Sequence, residues 1–170
     1  TVLDKVVAST SFLENNITTI KTEAKALAAF LHEKIGVYYA SSDYEAVVIR
    51  AKQQFNENAK ELCIGHVIPE MNHNELVGWS GGTNQFAAVF LDSQDLISQN
   101  KRRFEVTIDE AKRWTENVKV INALGQNQIE KSFYFIHIID WASLFLAELN
   151  GVDAVDISAI DYLKNELSKL

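Results

Sequence analysis

"GVYYASSDYEAVVIRAKQQFNENAKELCIGHVI", residues 36–68, places two short apolar runs, Gly36–Ala40 and Leu62–Ile68, on either side of a longer amphipathic one. The short runs have the length and the β-branched and aromatic content of strands, and Asp43–Phe55 between them reads as a helix. Ser42 and Glu45 stand at capping-box spacing directly after the first run, which predicts where that helix begins. Strand, helix and strand in succession imply a right-handed crossover between parallel strands.

The alternation continues outward from this unit. Phe86–Leu91 ("FAAVFL") and Val118–Ile121 ("VKVI") read as further strands, and Ile17–Lys34, Gln99–Trp114, Ile129–Leu149 and Ile157–Leu167 as further helices. The expected fold is therefore α/β, a three-layer α/β/α sandwich around a mainly parallel sheet. With 170 residues, one proline and no low-complexity tract, residues 1–170 are expected to form a single domain. The chain opens at Thr1 with residues that already read as helix, so it is expected to be a piece of a longer protein.

Charge and composition exclude several partners. A net charge of -7 argues against nucleic acid, whose phosphates require Lys and Arg, and Lys101-Arg102-Arg103 is too short a cluster to change that. The same field repels anions, so a phosphorylated ligand would need a local cradle of amides, hydroxyls or cations. The single cysteine, Cys63, excludes an intrachain disulfide and fits a reducing, cytoplasmic setting. No membrane is expected either, because the longest apolar stretch, Leu124–Leu149, is interrupted by Glu130, Lys131, His137 and Asp140.

Ligands of open parallel sheets sit at the carboxyl ends of the strands, here Ser41-Ser42-Asp43, Pro69–Trp79 and Asp92-Ser93. Polar residues also crowd between Lys52 and Trp79: Asn56, Glu57, Asn58, Glu70, Asn72, His73, Asn74 and Glu75. Glu57, at the end of the helix before the second strand, falls outside the carboxyl-end rule. A metal could draw on His66, Glu70, His73 and Glu75, but the two histidines are not at the i, i+4 spacing of a helical zinc pair, Pro69 breaks the segment, and no zinc signature results. Cys63 stands within an apolar strand that disfavours a thiolate, which makes it a packing residue. Metal-free acid/base chemistry would use Glu57 as the base and His73 for a second proton. Asn56, Asn58, Asn72 and Asn74 would then orient them or hold sugar hydroxyls, with Lys60 tuning the carboxylate. The competing reading is a solvated helix end and a polar turn.

Weaker candidates remain. Ser80-Gly81-Gly82-Thr83 is an anion nest or a plain turn, and His137 with Asp140 is expected to be a buried, mutually satisfied pair. Trp79, Trp114 and Trp141 are expected in the core or at an interface, and Trp79 with the apolar last two helices offers a surface for self-association.

The same residues carry a resemblance. "RAKQQFNENAK" followed by "PEMNHNELVGW", and later "DWASLFLAELNGVDAVDISAIDYLKNEL", resembles the C-terminal sugar-isomerase (SIS) domain of the bifunctional phosphoglucose/phosphomannose isomerases. The resemblance implies interconversion of glucose or mannose 6-phosphate with fructose 6-phosphate through a cis-enediol, without metal or other cofactor. It implies that Glu57 carries the proton between the first two carbons and that His73 assists ring opening, reaching the neighbouring subunit of a homodimer. Lys164 would stand near the sugar oxygens. The family has two SIS domains, and its Ser/Thr-rich phosphate loop belongs to the first; this chain has no counterpart, so an N-terminal SIS domain of the same polypeptide is an expected partner. The alternative is a noncatalytic SIS-type module that binds a sugar phosphate or only dimerises.

Overall fold

Strand pleating sorts the apolar residues of this chain into two cores. In the computed structural model, residues 1–81 and 84–170 are described. Among them, β1 (Ile35–Ser41), β2 (Ile64–Ile68), β3 (Phe86–Asp92) and β4 (Val118–Asn122) form one parallel sheet in the order β2-β1-β3-β4. The helices of the described residues are α1 (Val2–Leu31), α2 (Glu45–Asn58), α3 (Glu75–Gly78), α4 (Ser98–Trp114), α5 (Gln128–Asn150) and α6 (Ser158–Leu167). Successive side chains of a strand point to opposite faces. Tyr38, Ala40, Ala87, Val89 and Leu91 accordingly join the core beneath α1, α2 and α5, while Val37, Tyr39, Ala88 and Phe90 join a second core beneath α4 and residues 69–81. The three-layer α/β/α sandwich with a parallel sheet is the architecture observed.

The first core is the larger. Ile20, Ala24, Leu27, Ala28 and Leu31 form one stripe along α1, and α5 answers with Tyr134, Phe135, Ile138, Ile139, Ala142 and Leu146. Each fully buried aromatic or aliphatic side chain here contributes about 1.5–3 kcal/mol. α5 is 23 residues long and by length and composition apolar enough to cross a membrane. In this fold it is the central helix of the layer, packed against both α1 and α2.

Several local expectations change. α1 begins at Val2, well before Ile17, and it ends at Leu31, because His32 turns extended and Glu33 is left-handed (φ 63°). The predicted capping box at Ser42 and Glu45 does not form. A 3-10 turn, Ser42–Tyr44, separates β1 from α2, so Ser42 lies too far from the first helical amides and its hydroxyl donates instead to the Ile68 carbonyl (3.2 Å). Cys63 precedes β2, which starts at Ile64, two residues later than the expected Leu62. Its thiol nevertheless packs against the first core, and burial pushes it up to about 12, so it stays protonated.

His137 and Asp140 do not pair. Asp140 accepts from Arg50 Nε (3.0 Å) and Nη2 (2.8 Å), whereas His137 Nδ1 lies 2.9 Å from the Phe133 carbonyl. A bidentate guanidinium on the neighbouring helix outcompetes an imidazole on the same helix. Trp79 is also not a docking residue: it is 5% exposed and packs edge-on to Phe86 in the second core. Trp114 is nearly half exposed, and Trp141 is covered by Lys21, whose ammonium lies 4.0 Å from the ring centroid.

Candidate active site

The Asn-Glu-Asn segment ends α2, and its three side chains do different work. Asn58 Nδ2 donates to Gln54 Oε1 (3.1 Å) and to Ser143 Oγ of α5 (2.8 Å). Asn56 Oδ1 accepts from the Cys63 thiol (3.6 Å). Both neighbours thus anchor the last turn of α2 to flanking structure. Glu57 between them is exposed, and among the described residues its carboxylate has no hydrogen-bonding or ionic partner. Its backbone carbonyl accepts from Lys60 Nζ at 2.6 Å.

The Asn-His-Asn-Glu segment follows β2. A cis peptide joins Ile68 to Pro69, and a 3-10 turn, Glu70–His73, leads into α3. Met71 is fully buried and pins this turn to the second core. Asn72 Nδ2 donates to Thr107 Oγ1 of α4 (2.8 Å), and Asn74 Oδ1 accepts from the Glu75 amide (2.6 Å) and so caps α3. His73 itself is exposed. In this geometry Asn56, Asn72 and Asn74, expected to hold substrate, are bonded instead to Cys63, Thr107 and the Glu75 amide, and among the described residues the Asn72 Oδ1 is buried without a partner.

Sequence reading missed a polar chain behind His73. Glu75 accepts from the Tyr39 hydroxyl (2.9 Å) and pairs with His66 Nδ1 (2.7 Å), and Trp79 Nε1 donates to that same hydroxyl (3.2 Å). Burial, reinforced by the Glu75 charge, drives the Tyr39 phenol far above its ordinary range, so it remains a donor. Tyr39 and His66 are register partners across β1 and β2, which is why one carboxylate can engage both. The only sequence signal was the Glu that closes Asn-His-Asn-Glu. Beside this chain lies a cavity of about 370 Å³ walled by Val37, Ile64, Trp79 and Phe86.

Glu57 and His73 stand at opposite ends of β2. α2 runs back across the sheet, so its last turn lies at the amino end of β2, while His73 follows the carboxyl end. Five residues of strand span roughly 16 Å at about 3.3 Å per residue. Within one chain the two side chains are not brought together. The α5–α6 connection passes Glu57, because Lys60 Nζ also lies 3.5 Å from the Ala154 carbonyl. Lys164 lies beyond it on α6, a helix with no buried residue, and is exposed.

Of the other candidates, Ser80 Oγ donates to the Val77 carbonyl (2.8 Å), while Gly82 and Thr83 lie outside the described residues. At the ends of β1 and β3, Ser41 Oγ is buried without a partner among the described residues, and the Ser93 hydroxyl donates to Asp95. Among the described residues no three His, Cys, Asp or Glu side chains converge to hold a metal ion.

The parallel α/β/α sandwich is of the SIS type. Residues 20–167 match the family described as the bacterial phospho-glucose isomerase C-terminal SIS domain, and the chain belongs to this family. It is 32% identical over 161 residues to the bifunctional phosphoglucose/phosphomannose isomerase of Aquifex aeolicus, covering 92% of this chain and 50% of that protein. The bifunctional phosphoglucose/phosphomannose isomerase of Thermoplasma volcanium is 34% identical over 148 residues, covering 86% of this chain and 48% of that protein. A glucose-6-phosphate isomerase like protein from Thermus thermophilus superposes with a TM-score of 0.68 at 22% identity, over 84% of this chain and 46% of that one. The chain thus spans about half the length of the relatives it matches.

Proposed function

We propose that this chain is the C-terminal half of a two-SIS-domain phosphosugar isomerase and supplies its proton-moving residues. Membership of the family supports an isomerase acting on sugar phosphates. The observation that carries the finer reading is Glu57: an exposed carboxylate, without a partner among the described residues, on a helix end anchored through Asn56 and Asn58. A base that must take a proton from carbon has to be ionised and rigidly held. Glu57 takes the C2 proton of glucose or mannose 6-phosphate, the C1 and C2 oxygens become those of a cis-enediol, and the proton returns to C1 to give fructose 6-phosphate. His73 opens the sugar ring. Because His73 stands at the far end of β2, the site is completed by His73 of a second copy in a homodimer, with Lys164 near the sugar oxygens. Asn56, Asn72 and Asn74 set the two segments, and the buried Oδ1 of Asn72 remains open to a donor. The phosphate is held by the N-terminal SIS domain of the same cytoplasmic polypeptide.

The complete polypeptide with Glu57→Gln should lose at least about 100-fold in turnover of fructose 6-phosphate. Co-expression of the Glu57→Gln and His73→Gln variants, each inactive alone, should restore activity in mixed dimers. Near-normal turnover by Glu57→Gln removes the base assignment, and failure of complementation removes the shared site.

A further inference from the structure

We propose that Glu75 is a positioning residue for His73: by bridging Tyr39 on β1 and His66 on β2 it fixes the turn that presents the imidazole to a second copy of the chain. This rests on the reading of His73 as the group that opens the sugar ring across a homodimer. His73 is exposed, and among the described residues its side chain has no hydrogen-bonding or ionic partner. Its direction is therefore set by the backbone that carries it.

Burial pins that backbone on either side. Met71 precedes His73 and Trp79 follows it, and both are sunk in the second core. Two such pins leave the residues between them free to pivot about the line that joins them. Glu75 supplies a further pin just beyond His73: its carboxylate accepts from the Tyr39 hydroxyl at 2.9 Å and lies 2.7 Å from His66 Nδ1. Tyr39 and His66 are register partners on adjacent strands, so one side chain ties the turn to two strands at once and removes the pivot. The neighbouring amides do not duplicate this tie, because Asn72 donates to Thr107 of α4 and Asn74 caps α3.

The bridge does more than cover the sheet. The Glu75 side chain is 30% exposed, and Met71 and Trp79 already attach the segment by burial. What a carboxylate adds is direction. Ionised, it has two oxygens that only accept, so it takes a hydroxyl and an imidazole N–H together, whereas a glutamine would turn an amide N–H toward one of them. Burial keeps the Tyr39 phenol protonated, and Trp79 Nε1 donates to its oxygen at 3.2 Å, which leaves the hydroxyl hydrogen for Glu75. The chain from Trp79 through Tyr39 and Glu75 to His66 thus holds the turn in one orientation. Orientation is what a ring-opening group needs, since a misplacement of about 1 Å costs about 100-fold in rate.

The test uses the complete polypeptide and mixed dimers. Glu75→Gln should lose about 10-fold to 100-fold in kcat with KM for fructose 6-phosphate changed less than about threefold. The defect should lie in the His73 that a subunit lends, not in its own Glu57. Co-expression with Glu57→Gln, whose His73 is intact, should therefore raise activity well above that of either variant alone, and co-expression with His73→Gln should not. Tyr39→Phe removes one of the two bonds and should show the same pattern with a loss of about threefold to tenfold, which carries the test if Glu75→Gln does not fold. If Glu75→Gln turns over within about threefold of the parent, or Glu57→Gln fails to complement the folded variant, the bridge only stabilises the domain and the proposal fails. A general loss of structure would disable Glu57 of the same subunit and abolish complementation. Glu57→Gln paired with His73→Gln, run alongside, reports on the shared site itself. Failure of that pair removes the reading of His73, whereas its success beside a failed rescue of Glu75→Gln removes this inference alone.

Discussion

Both faces of the sheet bury an apolar core, but only one adds a chain of hydrogen bonds to it. Beneath α1, α2 and α5 the contacts are rings and hydrocarbon: Tyr38 stacks on Phe55 at 5.2 Å, and Tyr44 meets Phe135 edge-on at 5.7 Å. Beneath α4 and residues 69–81, Trp79, Tyr39, Glu75 and His66 run in a hydrogen-bonded chain beside an open cavity. The apolar face makes the sheet stable, because non-directional burial sums over many side chains. The polar face aims one segment, because a bridging carboxylate fixes direction as well as distance. The loop that carries the exposed His73 is thus tied to the strands by directional bonds as well as by the buried Met71.

The contrast can be broken first on the apolar side. Phe135→Ala removes a fully buried ring and should cost about 3–5 kcal/mol in urea unfolding; a loss below about 1 kcal/mol would mean that the face is not the main support. Glu75→Gln comes next. It trades a charged acceptor serving Tyr39 and His66 for a neutral amide, and a loss of about 1–3 kcal/mol is expected. A stability loss matching that of Phe135→Ala would erase the distinction between the faces. Arg50→Ala removes the Arg50–Asp140 pair, whose side chains are 41% and 32% exposed, and should cost no more than about 1 kcal/mol.

The smallest effect is expected at α6. Ile160, Leu163 and Leu167 form a stripe on a helix with no buried residue, and Leu163 is 57% exposed. Leu163→Ser should therefore change the thermal unfolding of this chain by less than about 0.5 kcal/mol at low protein concentration. A larger loss would mean that α6 is covered in solution.

Much of this fold could be read directly. Runs such as Val37–Ala40 and Phe86–Leu91 are strands because they are apolar on both faces, and the stripe Ile20, Ala24, Leu27 and Leu31 makes α1 a helix whatever its neighbours do. α3 escaped notice because four residues make barely one turn, too short for any period to register. The capping pattern at Ser42 and Glu45 misled because a 3-10 turn fits between strand and helix as easily as a direct start.

The candidate site divides in the same way. Asn56-Glu57-Asn58 and Asn72-His73-Asn74-Glu75 stand out in the sequence because so many amides and carboxylates rarely sit together in a chain with 47% hydrophobic residues. Their placement at opposite ends of β2, the register that sets Tyr39 beside His66 under Glu75, and the capture of Asp140 by Arg50 belong to the tertiary structure. Composition and period act within a few residues and are written along the chain. Register and cross-helix pairing depend on which faces of distant segments are buried together, and that is settled only when the whole sheet and its helices pack.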